Sequence, residues 1–87
     1  VPAYELRLAP SAERGLARLP EFAAAAIVEF VTVPLLEDPL SLGRPLTFEL
    51  EDYRAARRGA YRVVYRVEED AVRVVRIDHR ADVYRPR

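Results

Sequence analysis

Residues 61–78 read YRVVYRVEEDAVRVVRID, two alternating runs on either side of an acidic turn. Apolar and polar positions that swap at nearly every step fit a strand, whose side chains point to opposite faces in turn. Two such runs joined by a short polar connection fit an antiparallel hairpin. This hairpin restricts the fold most, because its apolar face has to be covered. Pairing Val67 with Ala71 across a three-residue turn puts Tyr61, Val63 and Tyr65 on one face with Val75 and Ile77. The other face then carries Arg62, Val64 and Arg66 beside Val72, Val74 and Arg76, with Arg62 directly across from Arg76. Shifting the register by one residue would turn Arg76 toward the core, which is costly unless the charge is paired. The first register is therefore the expected one.

The cover comes from the first half of the chain. AYELRLA alternates, with Tyr4, Leu6 and Leu8 on one side, and reads as a first strand. In PSAERGLARLP, Pro10 and Ser11 open a helix, Leu16 and Leu19 give it an apolar side, and Pro20 stops it. A second helical segment runs from Glu21 to about Leu36, bent or ended by Pro34. Its spacing predicts a buried face of Phe22, Ala26, Phe30 and Val33. EDPLSLGRPL reads as a turn-rich loop pinned to the core by Leu40, Leu42 and Leu46. DYRAARRG is a short strand before the hairpin, ending at Gly59. The order is strand, helix, helix, then a three-stranded antiparallel meander. This is an α+β fold with helices on one face of an antiparallel sheet and the opposite face open.

At 87 residues one domain is expected. A core this small gains from a stabilising partner. The best apolar run, FAAAAIVEFVTVPLL, is broken by Glu29 and Pro34, so no membrane span is expected. The N-terminus lacks the basic flank and apolar core of a signal peptide, and the missing initiator Met points to a trimmed start. Cysteine is absent and His79 is the only histidine, which excludes thiolate chemistry and argues against a structural zinc site. All fourteen basic residues are arginine. Residues 1–52 hold four arginines and nine acids, whereas residues 53–87 hold ten arginines and five acids. The zero net charge thus hides a separation that fits an anion-binding face or two halves that attract each other.

Arg62 across from Arg76 sets like charges side by side. Either a nearby acid relieves them, Asp78 being the candidate, or the face is kept for an external anion. Guanidinium groups suit phosphate oxygens, which their planar fork matches. A merely solvated face fits the same pattern. The tail DHRADVYRPR adds His79, Arg80, Tyr84 and Arg85 after the last strand. These residue types can move a proton, clamp a phosphate and stack on a base. A polar tail with one tucked aromatic is the plainer account.

ARRGAYRVVYRVEEDAVRVVRIDHRADVYR resembles the C-terminal half of the RelE/ParE toxin superfamily of type II toxin–antitoxin systems. The shared features are a glycine before a Tyr-Arg pair, the YRVVYRV strand, an acidic turn, a hydrophobic strand and an HR-x-D-x-Y ending. LARLP, a hydrophobic helix and PLLEDPLSLGRPL match as well, so the resemblance spans nearly the whole chain. The HRADVYR ending is most similar to the RelE branch and its actinobacterial members. The resemblance implies a microbial-ribonuclease-like fold and a cytoplasmic, ribosome-dependent mRNA endonuclease. Such a toxin cleaves mRNA in the A site by attack of the messenger's own 2′-hydroxyl, with no metal or other cofactor. It further implies a RelB-like cognate antitoxin whose acidic segment wraps the toxin, operator DNA contacted indirectly through that antitoxin, and no membrane.

Carried over by position, Arg62 matches the sheet arginine that stabilises the phosphate. Arg80 matches a second arginine clamp, and Tyr84 the tyrosine that stacks on a base or orients the attacking hydroxyl. Arg54 and Arg57 fall where relatives place basic residues on the preceding strand. Arg58, Arg76 and Arg85 complete the expected phosphate-binding surface. The chain lacks the lysine that serves proton transfer in some relatives. Arginine stays protonated, so His79 or Tyr84 would have to move the proton, or electrostatics and positioning carry the reaction. Two other functions remain open on the same fold: a ParE-like inhibitor of DNA gyrase, and an inactive relative acting as an antitoxin-binding corepressor.

Overall fold

A computed structural model describes residues 4–46 and 52–79. The elements in chain order are β1 (Glu5–Leu8), α1 (Pro10–Ala17), α2 (Glu21–Thr32), α3 (Pro34–Glu37), α4 (Pro39–Leu42), β2 (Arg44–Pro45), β3 (Arg54–Arg58), β4 (Tyr61–Val67) and β5 (Ala71–His79). They form one five-stranded sheet in the order β1-β5-β4-β3-β2. The expected meander of β3, β4 and β5 is present, and β2 extends it antiparallel. β1 lies parallel to β5, which makes the α+β sheet mixed. No described helix is long and apolar enough to cross a membrane.

β1 covers only the first half of β5, from Ala71 to Val74. Beyond it α1 takes over the strand edge. Pro10 starts the helix at a position where its missing N–H costs nothing. Ser11 does not cap the helix; its Oγ donates to the Val75 carbonyl at 2.5 Å. Gly15 faces the Ile77 carbonyl so closely that a β-carbon there would sit 2.5 Å from the oxygen. At the other hairpin, the two-residue loop after Arg58 needs positive φ, and Gly59 supplies it at 62°.

The β4–β5 register differs from the expected one. Val67 pairs with Val72, Arg66 with Arg73 and Tyr65 with Val74, after which the ladder skips Val75 and continues with Val64 opposite Arg76. Arg62 therefore faces Asp78 rather than Arg76. The bulge has a physical cause in the spacing. Val72, Val74 and Ile77 are all buried, and no uninterrupted strand can put both Val74 and Ile77 on one face. One extra residue resets the parity. The core gains all three side chains and Arg76 stays exposed, so Val72 and Val74 are core residues where Val75 was expected.

The buried face of α2 is Ala23, Ile27, Phe30 and Val31, so of the expected stripe Phe30 is buried and the other three are not. Phe22 is 80% exposed, and Ala26 and Val33 are also exposed. Glu29 explains the choice. It lies seven residues after Phe22, three after Ala26 and four before Val33, so burying that stripe would drag a carboxylate toward the core. We expect Ile27→Ala to cost about 2–5 kcal/mol. Phe22→Ser should stay within about 0.5 kcal/mol of wild type. Chemical denaturation of both variants checks the assignment, and the reverse ranking would refute it.

The connection after α2 is not a plain loop. Pro34 and Pro39 each open a short helix, and Leu35, Leu36 and Pro39 hold the segment to the core while Leu40 and Leu42 are exposed. Tyr65, fully buried, donates its hydroxyl proton to the Pro39 carbonyl. Burial pushes this phenol above its ordinary value of 10.0, with the neighbouring Arg54 guanidinium opposing the shift. A phenol raised on folding contributes its full stability below the unfolded value and loses it as pH climbs through the folded one. Wild-type stability is therefore expected to fall on alkaline titration more steeply than that of Tyr65→Phe. Parallel slopes in pH-dependent denaturation would show that Tyr65 is not the titrating group.

Candidate anion-binding site

Alternation on the strands sorts the arginines between two faces. Ala56, Val63, Tyr65, Val72, Val74 and Ile77 belong to the core on the helix side. The residues between them point the other way. On that open face, one cross-strand row holds Arg57, Arg62 and Asp78, and the next holds Arg44, Ala55, Val64 and Arg76. A third holds Arg66, Arg73 and Arg7.

Carboxylates answer only some of these charges. Asp78 pairs with Arg76 at 2.8 Å, Glu68 with Arg73 at 3.0 Å and Glu5 with Arg7 at 3.5 Å. Among the described residues, Arg44, Arg57, Arg62 and Arg66 have no carboxylate within ion-pair distance. Arg44, Arg57 and Arg62 line one cleft of about 490 Å³ together with Leu42, Leu46, Ala55 and Ala56. Its lining includes no acid. Arg57 and Arg62 lie directly opposite each other, an arrangement that costs stability unless something negative sits between them. Three guanidinium groups present many N–H donors and no acceptor, so the cleft is suited to a phosphate or carboxylate and to no cation.

The other expected site residues divide as follows. Arg76 is on the open face but tied to Asp78. Arg54 is on the helix side, where one terminal nitrogen donates to the Leu40 carbonyl at 2.7 Å and to the Gly43 carbonyl at 2.9 Å. Arg58 is also on the helix side, its guanidinium carbon 6.0 Å from the centre of the Phe30 ring. His79 stands opposite Tyr61, edge to face with it at 5.3 Å, and so faces away from Arg62. Parity separates these three from the cleft. Arg80, Tyr84 and Arg85 lie outside the described residues.

Arg44 was not among the residues expected from sequence. A two-residue strand inside a Pro- and Gly-containing connection has no readable period, and only its pairing with Ala55 places it beside Arg57 and Arg62. The tendency of Arg-Pro to be extended was the one available hint.

Comparison with known proteins identifies the family. Residues 6–84 match the family described as the ParE toxin of the type II toxin–antitoxin system, parDE. The chain is 45% identical over 84 residues to Toxin RelG of Mycobacterium tuberculosis, covering 94% of this chain and 97% of that one. It is 46% identical over 84 residues to Toxin RelE of the same organism, covering 94% and 87%. A chain of the M. tuberculosis toxin–antitoxin complex RelBE2 superposes with a TM-score of 0.87 at 44% identity, covering 94% of this chain and 95% of that one. With the mixed sheet, the α1–α2 pair and the arginine-lined open face in place, the chain belongs to the RelE/ParE family of type II toxins and is RelE-like within it.

Proposed function

We propose that this toxin is a ribosome-dependent mRNA endonuclease whose phosphate site is the cleft of Arg44, Arg57 and Arg62. The observation that carries the reading is a convergence of three arginines, none with a described carboxylate within ion-pair distance, on the sheet face opposite the helix-side core. The RelE- and RelG-named relatives support it.

In the proposed reaction the 2′-oxygen of one nucleotide attacks the adjacent phosphorus and the bond to the 5′-oxygen breaks. A 2′,3′-cyclic phosphate and a 5′-hydroxyl result, with the 2′ proton ending on the departing oxygen. Negative charge gathers on the non-bridging oxygens at the transition state, where fixed guanidinium donors act most strongly. Arg62, half-buried and centrally placed, is the residue assigned to those oxygens, with Arg44 and Arg57 holding the strand. None of the three can accept the proton. His79 faces away from the cleft, and Asp78, the carboxylate across from Arg62, is tied to Arg76 and does not line the cleft, so neither is assigned as the general base. The rate then rests on positioning in the ribosome and on charge stabilisation.

The partner assigned to the toxin is a cognate antitoxin that lays an acidic segment over the same arginines. RelBE2 is itself a toxin–antitoxin complex, which supports this assignment. Primer extension on a defined mRNA in programmed ribosomes tests the function. Cleavage confined to the A-site codon supports it. Folded wild-type protein that leaves the mRNA intact but blocks gyrase supercoiling would replace it with the gyrase-directed reading.

A further inference from the structure

Arg7, Arg73 and Arg66 occupy matching positions on three adjacent strands, β1, β5 and β4, on the open face. Each is set beside another arginine, the arrangement that strands ordinarily avoid. Glu68 enters this row from the β4–β5 turn. Its carboxylate accepts from the Arg73 Nε at 3.0 Å. The Arg73 hydrogen bond holds Glu68 below its ordinary carboxylate value, and Arg66 and Arg7 add to the effect, so one carboxylate feels three guanidinium groups. Arg7 has a second partner in Glu5, whereas exposed Arg66 has no carboxylate within ion-pair distance among the described residues.

We infer that Arg7, Arg66 and Arg73 form a second phosphate site for RNA, in which Glu68 holds the place of the ligand in the free protein. The inference rests on the nuclease reading for its choice of RNA. Arg62 and Arg66 share one strand and one face, four residues and thus about 13 Å apart. A backbone bound at the cleft and continuing along β4 would reach the second row. A neighbouring segment of ribosomal RNA would meet the same chemistry. When a phosphodiester enters, its oxygens take the donors that Glu68 now uses, and the Glu68 carboxylate turns out to water.

The test uses the whole toxin and a single-stranded oligoribonucleotide carrying 2′-O-methyl groups throughout, which blocks the attacking hydroxyl. Binding is followed by anisotropy across a salt series for wild type, Arg66→Ala and Glu68→Gln. A second arm uses ribosomes programmed with mRNA methylated at the A-site codon. Arg66→Ala is expected to weaken binding several-fold and to flatten the slope of log affinity against log salt by about 0.7, the value for one single-strand phosphate contact. Glu68→Gln is expected to tighten binding several-fold, because it removes the competing charge and keeps an acceptor for Arg73. Effects in both arms assign the site to the bound strand, and effects only on ribosomes assign it to ribosomal RNA. Unchanged affinity and slope for both variants in both arms would overturn the inference. So would a loss in Arg66→Ala confined to binding of a polyglutamate peptide, which would make the row a protein-binding surface. Arg66-dependent RNA binding by a wild-type protein that cleaves nothing would refute the nuclease reading and leave this site standing.

Discussion

Arg62→Ala is expected to slow A-site cleavage by about 10²–10³-fold, the usual cost of removing one preorganised donor to a developing oxyanion. Its fold should be nearly unchanged. Arg62 has no hydrogen bond or ion pair to another described residue to lose, and the change removes its repulsion with Arg57. Its cross-strand attraction to Asp78 on the other side is lost as well, so stability is expected to stay within a few tenths of a kcal/mol of wild type, the range of a cross-strand charge pair. The combination is diagnostic. A structural arginine would lose stability and activity together, whereas this one should lose activity alone. Arg62→Lys should recover only part of the rate, because an ammonium keeps the charge but lacks the planar fork. Single-turnover cleavage on programmed ribosomes, with thermal denaturation of the same preparations, measures both quantities. Full activity in a folded Arg62→Ala would remove the residue from the reaction.

The fold class and the order of the longer elements could be read from the sequence because they rest on local patterns: alternation at 61–67, Pro10 at the start of α1, glycine at a hairpin. What could not be read depends on contacts between distant segments. The bulge at Val75 exists because Val72, Val74 and Ile77 compete for one face, and its carbonyl is met by Ser11 from the other end of the chain. The buried stripe of α2 was hidden by an excess of apolar residues, among which only Glu29 marks the wrong side. The site was half legible for the same reason. Arginines on β4 follow the alternation, so Arg62 could be placed on the open face. On β3, DYRAARR has no clean period. Register alone separates Arg57, which faces the cleft, from Arg54 and Arg58, which face the helices. Arg44 required the fold itself.

Arg54 shows how much that separation matters, and Arg54→Ala is expected to be the converse of Arg62→Ala. Its guanidinium bridges the Leu40 and Gly43 carbonyls, which otherwise end the α4 segment without these donors. The Tyr65 hydroxyl secures the Pro39 carbonyl one residue earlier, so sheet and connection are joined at one point. Hydrogen bonds from a charged group contribute about 1.5–3 kcal/mol each. The buried Arg54 Nε, which lacks a protein partner among the described residues, offsets part of that. A net loss of about 2–4 kcal/mol is expected. For a domain of this size, each kcal/mol moves the melting temperature by about 4–8 °C, so a fall of roughly 8–32 °C should be visible. Arg54→Lys should restore little, since one ammonium cannot reproduce the planar geometry that meets both carbonyls. The decisive comparison is made at low temperature, where Arg54→Ala is still folded. Cleavage there should lie within a fewfold of wild type, because Arg54 faces the helices and the phosphate cleft lies across the sheet. A stable Arg54→Ala with abolished cleavage would mean that the guanidinium leaves its carbonyls to serve the substrate.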